Sequence, residues 1–288
     1  MAAFLTESVN GLGLAAIYAL VALGITLVFG LTRLINFAHG ALVMVGAMVT
    51  VLIGGSGLLM FAVAALVAIV IIAIVSAVLE VALFRHTLVT PLNGFIVSLG
   101  LILFFDNIAL AIWGGTARVI QPPFSGTLIV GDFRVAYQRL FTIAVGLVVI
   151  ALFFLLMRRT QVGAAVRAIA DDPEASRWVG IPVSRLILIV FVIGGVLASV
   201  AGTLYAGLYP VTTDLGDNLV IFGFVVALLG GLGSPVGALI ASVVVALAQT
   251  YLGPTSYAQW DVAFALCLVA VGLLIRPSGL LGGRAAHG

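Results

Sequence analysis

Apolar residues run almost unbroken along most of the chain for about 15 to 25 positions at a time, and short clusters of Gly, Pro, Arg or Asp separate the runs. Runs of that length match the roughly 20 residues a helix needs to cross a hydrocarbon layer. The pattern predicts spans over residues 11–31, 37–54, 58–82, 94–113, 140–157, 186–208, 218–232, 235–253 and 259–275. The seventh is short and meets Gly230, Gly231, Gly233, Ser234 and Pro235 at once. The seventh and eighth therefore read either as short tilted spans or as a re-entrant hairpin buried in the bundle. The expected fold is all-α, a single polytopic transmembrane helical bundle over 1–288 with about eight or nine spans.

Composition sharpens this. Hydrophobic residues make up 64% of the 288 and charged residues 8%, against about 25% charged in ordinary soluble domains. So few polar side chains cannot cover a water-facing surface, so lipid must surround most of the chain. A disordered chain, a nucleic-acid binder and a secreted disulfide scaffold are excluded. Cys267 lies in the run AFALCLVAVGLL without a second cysteine and reads as a small core or lipid-facing residue.

All 12 basic residues are arginines. Placing the loop 158–185 in the cytoplasm puts Arg33, Arg85, Arg158, Arg159, Arg167, Arg177, Arg185, Arg276 and Arg284 inside, and only Arg118, Arg134 and Arg139 outside. The positive-inside rule prefers this arrangement, with the N-terminus outside and the C-terminus cytoplasmic. The opening MAAFLTESVNG has no basic n-region or small-residue cleavage site, so the first span is expected to persist.

Two segments leave the lipid. In the external stretch 114–138, Gln121, Pro122 and Pro123 force an extended path and TLIVGDFRV reads as a small hairpin, either a lid or docking surface or a plain connection. The segment 158–185, RRTQVGAAVRAIADDPEASRWVGIPVSR, holds eight of the 22 charged residues. Val162, Ala165, Val166 and Ile169 share one face of a short helix. A second helix is signalled by Asp172 as N-cap, Pro173 at the first position, Glu174 at the positive dipole end and Gly180 as a left-handed stop. Arg177 and Trp178 on that helix have the composition of a protein docking site, although a Trp can also lie back on the membrane interface.

Ionisable residues inside spans are functional candidates, because they are costly there unless paired or wet. Asp106, about 18 Å along its predicted helix, and its neighbour Asn107 belong either to a translocation path or to an interhelical lock with Ser, Thr or Arg118. Glu80 and Asp261 sit near span ends and read as interface residues. In NFAHG, Asn36 is placed to cap the second span, and Gly40, Ala41, Gly46 and Ala47 give it a small-residue face for the bundle centre. His39 either lines the pathway or is a satisfied structural donor. No metal site is expected, since His86 and His287 lack ligand spacing. Gly231, Gly233 and Ser234 in GGLGSPVG allow either a break in the membrane or a tight cytoplasmic turn.

The run GAAVRAIADDPEASRWVGIPVSR resembles the cytoplasmic coupling loop of the permease subunits of branched-chain amino-acid ABC importers, the LivH type. YALVALGITLVFGLTRLINFAHGALVMVGAM resembles that family's first two spans, and ALLGGLGSPVGALIAS a third family motif, so the likeness covers essentially the whole chain. It implies an inner-membrane permease that works by alternating access with a second, homologous permease subunit, or a second copy of itself. It also implies two cytoplasmic ATPase subunits and an extracytoplasmic substrate-binding protein. Gly163, Arg167, Ala168, Asp172, Pro173, Glu174, Arg177, Trp178 and Gly180 would then form the ATPase-coupling loop. Asn36, His39, Gly40, Asp106, Asn107, Gly231, Gly233 and Ser234 would be candidates for the pathway or gate. The chain contains no G-x-x-x-x-G-K-[ST], so ATP and Mg are expected on the partner ATPases and no cofactor on this chain. The implied substrates are leucine, isoleucine and valine, or related amino acids, urea or short amides. An ion-coupled carrier is the alternative, but only one interrupted helix pair and no repeat speak for it. An intramembrane enzyme lacks H-E-x-x-H and G-x-S-x-G alike.

Overall fold

The structure, a computed structural model, describes residues 2–88, 90–131, 133–252, 260–276 and 278–281. Each of the nine predicted segments contains a helix. These are α1 (Ala2–Thr32), α2 (Ala38–Ile53), α3 (Leu58–Leu79), α5 (Pro91–Trp113), α6 (Tyr137–Arg159), α9 (Val183–Ala206), α10 (Leu215–Gly230), α11 (Pro235–Leu252) and α12 (Asp261–Ile275). A π-helical turn (Glu80–Phe84) and the short α4 (Arg85–Thr87) extend α3, and α7 (Gln161–Asp171) and α8 (Pro173–Trp178) lie between α6 and α9. Among the described residues six helices are long and apolar enough to cross a membrane, while α2, α10 and α12 are shorter. The chain is thus an all-α polytopic membrane protein. Arg284 and His287 lie outside the described residues, as does the side chain of Asp261.

Helices that are apolar all round belong either in the centre or against lipid. Burial separates the two classes here. The most apolar stretch of α1 is 89% buried and that of α9 67%, whereas α3, α5 and α6 bury only 22%, 17% and 28%. α1 is the central post, packed against α11, α9, α10 and α6, and α2 fills the space between α9, α3 and α10. Small residues bring these backbones together. A Cβ at Gly46 would stand 2.9 Å from Ser199 Cα, one at Gly202 would strike the Val43 carbonyl, and one at Gly195 would occupy the space of the Ser76 hydroxyl. Thr50 and Thr203 join α2 to α9 through a 2.9 Å hydroxyl pair buried at that contact. Cys267 is exposed on α12.

The predicted hairpin forms from β1 (Thr127–Val130) and β2 (Phe133–Ala136), antiparallel with Thr127 opposite Ala136 and Val130 opposite Phe133. It rests on the start of α1, where Arg134 N–H donates to Thr6 Oγ1 at 3.4 Å. Arg118 pairs with Val211 at the far end of α9, and Arg139 donates to the Asn10 carbonyl at 2.9 Å, so these three arginines share one end of the bundle. The other described arginines gather at the opposite end, beside the α6–α7 turn, the α10–α11 turn and the start of α9.

Glu80 corrects the sequence reading. The carboxylate is fully buried and held by Arg85, with Nη2 to Oε2 at 2.8 Å and Nε to Oε1 at 3.2 Å. Residues five apart lie about 140° apart on an α-helix. The π-helical turn brings this pair onto one face.

Candidate functional site

The segment after α6 folds as two capped helices. Thr160 Oγ1 accepts from Gly163 N at 3.2 Å to start α7, and Asp172 Oδ1 accepts from Glu174 N and Ala175 N, each at 2.9 Å, to start α8 behind Pro173. Gly180, at φ +82, ends the motif. Val166 and Ile169 bury the predicted apolar face of α7. A Cβ at Gly163 would strike the Met157 carbonyl, and Arg167 Nη1 donates to that same carbonyl, so α7 is clamped onto the end of α6. Ala168 is half-buried on α7. Arg167, Asp172, Pro173, Glu174, Arg177 and Gly180 face outward. Trp178 is 84% exposed and Val179 76%. A rigid, charged platform with an uncovered indole can engage another protein.

At the NFAHG motif the chain folds back. α1 ends at Arg33, whose φ of +56 is left-handed, and His39 then packs on Gly24, about 12 Å short of the end of α1. α2 therefore begins inside the bundle. Ser98 of α5 fastens the returning segment, accepting from Phe37 N at 3.1 Å and donating to Phe95 O at 2.7 Å. Phe37 stacks against Phe224 with centroids 4.7 Å apart. Asn36 does not cap α2 as expected. Phe37 is already helical at φ −71 and ψ −23, which leaves no extended cap residue, and Asn36 Oδ1 is buried with no hydrogen-bond partner among the described residues. His39 Nε2 is likewise buried and unpartnered among them. Gly40 lies directly on Gly216 of α10. Asn36, His39 and Gly40 thus meet at one crossing of α1, α2, α9 and α10. Ser98 and Thr160 escaped the sequence reading because isolated hydroxyls carry no pattern.

Asp106 and Asn107 stand apart from that crossing. Asp106 sits about 10 Å from the C-terminal end of α5, within electrostatic reach of Asp217 and Asp214. Asn107 Nδ2 donates to Leu103 O at 2.7 Å within its own helix, and Arg118 Nη2 donates to Trp113 O. Among the described residues neither Asp106 nor Asn107 makes the interhelical bond of a lock. Gly231 and Gly233 take left-handed φ of +99 and +88, and Ser234 Oγ accepts from Gly237 N at 3.2 Å, so GGLGSPVG is a tight turn. From there α11 follows α1, from Gly233 against Gly30 to Tyr251 against Ser8. The 18 residues of α11 rise about 27 Å, close to the thickness of a hydrocarbon core. α11 is thus no half-length re-entrant arm.

The family model for the branched-chain amino acid transport system / permease component matches residues 8–274. The high-affinity branched-chain amino acid transport system permease protein BraD of Pseudomonas aeruginosa is 28% identical over 97% of this chain and 96% of its own length. The LivH protein of the same description from Escherichia coli K12 is 30% identical over the same shares. A probable branched-chain amino acid transport permease LivH of Methanocaldococcus jannaschii is 27% identical over 91% of this chain and 88% of its own. No solved structure matches the chain significantly. The similarity along nearly the whole length shows that the chain belongs to the family of branched-chain amino-acid transport system permease components.

Proposed function

We propose that this chain is the permease subunit of an ATP-binding-cassette importer in a bacterial inner membrane. It carries branched-chain amino acids, or related small polar amino acids and amides, by alternating access. The observation that carries the reading is similarity to permease components along nearly the whole chain. A second homologous permease, or a second copy, completes the pathway, and an extracytoplasmic binding protein delivers the substrate. Two cytoplasmic ATPases bind ATP and Mg and supply the energy. The clustering of arginines at the α7–α8 end supports a cytoplasmic placement of that end and an external N-terminus.

Mechanically, α7 and α8 form the handle. ATPase closure displaces them, and the Arg167 and Gly163 contacts to Met157 pass the motion to α6 while the 180–183 link passes it to α9. Both helices pack on α1, so the displacement reaches the bundle centre. The test is uptake of labelled leucine by vesicles holding the full assembly. Uptake requires ATP on the cytoplasmic side and the loaded binding protein outside. Uptake that proceeds without ATP and follows a proton or sodium gradient overturns the reading.

A further inference from the structure

At the hairpin end of the bundle, a cavity of about 520 Å³ opens between the start of α1, the first turn of α6, the end of α9 and the α10 and α11 helices. That volume is in the range of small-molecule sites. Two opposite charges line it, Glu7 and Arg139, and they are not an ion pair. Among the described residues the only ion pair is Arg85 with Glu80. Asn10 stands between the two charges. Its side-chain amide donates to Glu7 Oε2 at 3.3 Å, and its carbonyl accepts from Arg139 Nη1 at 2.9 Å. The Arg139 stem lies along α1 at Gly13, where a Cβ would come 2.9 Å from Arg139 Cγ, and its guanidinium covers the Tyr209 ring at 5.7 Å. Both groups are fixed, and both keep hydrogen-bonding capacity, since a carboxylate has about four acceptor sites and a guanidinium five donors.

Beside the polar Asn218, Gln249 and Thr250, the remaining wall carries Leu14, Leu219 and Phe222, with Phe222 stacked on Tyr18 at 5.2 Å. Two half-buried opposite charges set apart across one cavity can each take a counter-charge from a ligand. We infer that this cavity is a receiving site for a zwitterionic α-amino acid with an apolar side chain. Its carboxylate pairs with Arg139, its ammonium group with Glu7, and its side chain lies on Leu219 and Phe222. A neutral amide, sugar or nucleoside would leave both charges uncompensated, so the cavity selects amino acids before they reach the pathway. The inference rests on the importer reading and narrows its substrate class to the zwitterion.

The test is equilibrium dialysis of labelled L-leucine against the purified full-length chain, with competitors. Wild type binds leucine saturably. Leucinamide, without the carboxylate, and 4-methylpentanoate, without the amine, compete at least roughly tenfold more weakly, the factor one charge-assisted hydrogen bond carries. Arg139→Gln weakens leucine by a similar factor while leaving leucinamide unchanged, Glu7→Gln does the same for 4-methylpentanoate, and Arg139→Lys retains leucine binding. Gly100→Ala, on the outer face of α5 with nothing within 4 Å, binds as wild type does. Absence of saturable binding at millimolar leucine, or leucine binding by the two glutamine variants that equals that of wild type, overturns the site. In the assembled importer the two variants lower leucine uptake while keeping ATP hydrolysis stimulated by the binding protein. Loss of that stimulation makes the cavity a docking surface for the binding protein and also overturns the proposal. If wild type binds the zwitterion but the assembly moves no amino acid, the importer reading falls alone. If the assembly moves leucine and neither variant alters uptake, the receiving site falls alone.

Discussion

Gly40→Ala tests the crossing at which α2 enters the bundle. A methyl at Gly40 would overlap the Gly216 carbonyl and stand 2.7 Å from Val220 Cβ. The reverse contact is as close, because a Cβ at Gly216 would lie 2.8 Å from the Gly40 carbonyl oxygen. Non-bonded atoms settle at about 3.5–4.0 Å, so α2 and α10 must part by about 1 Å. The obstacle is backbone, and no rotamer change removes it. Two effects oppose each other. Alanine gains about 1 kcal/mol over glycine in a helix interior, whereas overpacking costs about 1–3 kcal/mol, with the upper end expected where backbone meets backbone. The net loss is about 2 kcal/mol, which lowers the melting temperature by roughly 4–8 °C for a chain of this size. Gly100→Ala, with open space around it, keeps only the propensity gain and melts at or slightly above wild type. Tryptophan scanning fluorimetry of the purified full-length variants reads both. A Gly40→Ala protein that melts with wild type while leucine uptake is intact would refute the close crossing.

Ser98→Ala strands the Phe37 amide inside the bundle and should cost about 1–3 kcal/mol, read as a lower melting temperature, whereas an unchanged value would mean that the amide finds another acceptor. Arg85→Ala leaves the buried Glu80 carboxylate uncompensated, so it should melt below the double variant Glu80→Gln/Arg85→Ala, and additive losses would argue against the pair. Trp178→Ala removes an indole that is 84% exposed, so stability should change by less than about 0.5 kcal/mol while co-purification with the ATPase subunits fails, and unimpaired co-purification would discard the docking role.

What was legible in the sequence is what short-range chemistry dictates. The apolar runs predict helices because lipid asks nothing more of them, and Asp172, Pro173 and Gly180 predict α8 because caps act within one turn. The hairpin 127–136 is local in the same sense. Depth was not legible. α2 has the composition of an ordinary span, and only contacts with Gly24, 15 residues back, and Ser98, 61 residues on, show that it starts inside the bundle. Glu80 looks like an interface residue until a π-turn joins it to Arg85. Asn36 looks like a cap, but Phe37, the residue that enters α2, is already helical. Glu7 and Arg139 sit 132 positions apart in the chain, and no periodicity links them to one cavity.

The burial of α1 bears on the order of assembly. α1 is the most enclosed of the six long helices, and its cover comes mainly from α9, α10 and α11, which are synthesised some 150 residues or more after it. Until then lipid must solvate it, which an all-apolar helix tolerates because hydrocarbon tails are as apolar as its eventual neighbours. Gly11 and Gly30, which await Leu247 and Gly233, have nothing to pack against in that interval. The nascent bundle is therefore built around a centre made well before the helices that close it, so chains truncated before α11 should be held by membrane quality control.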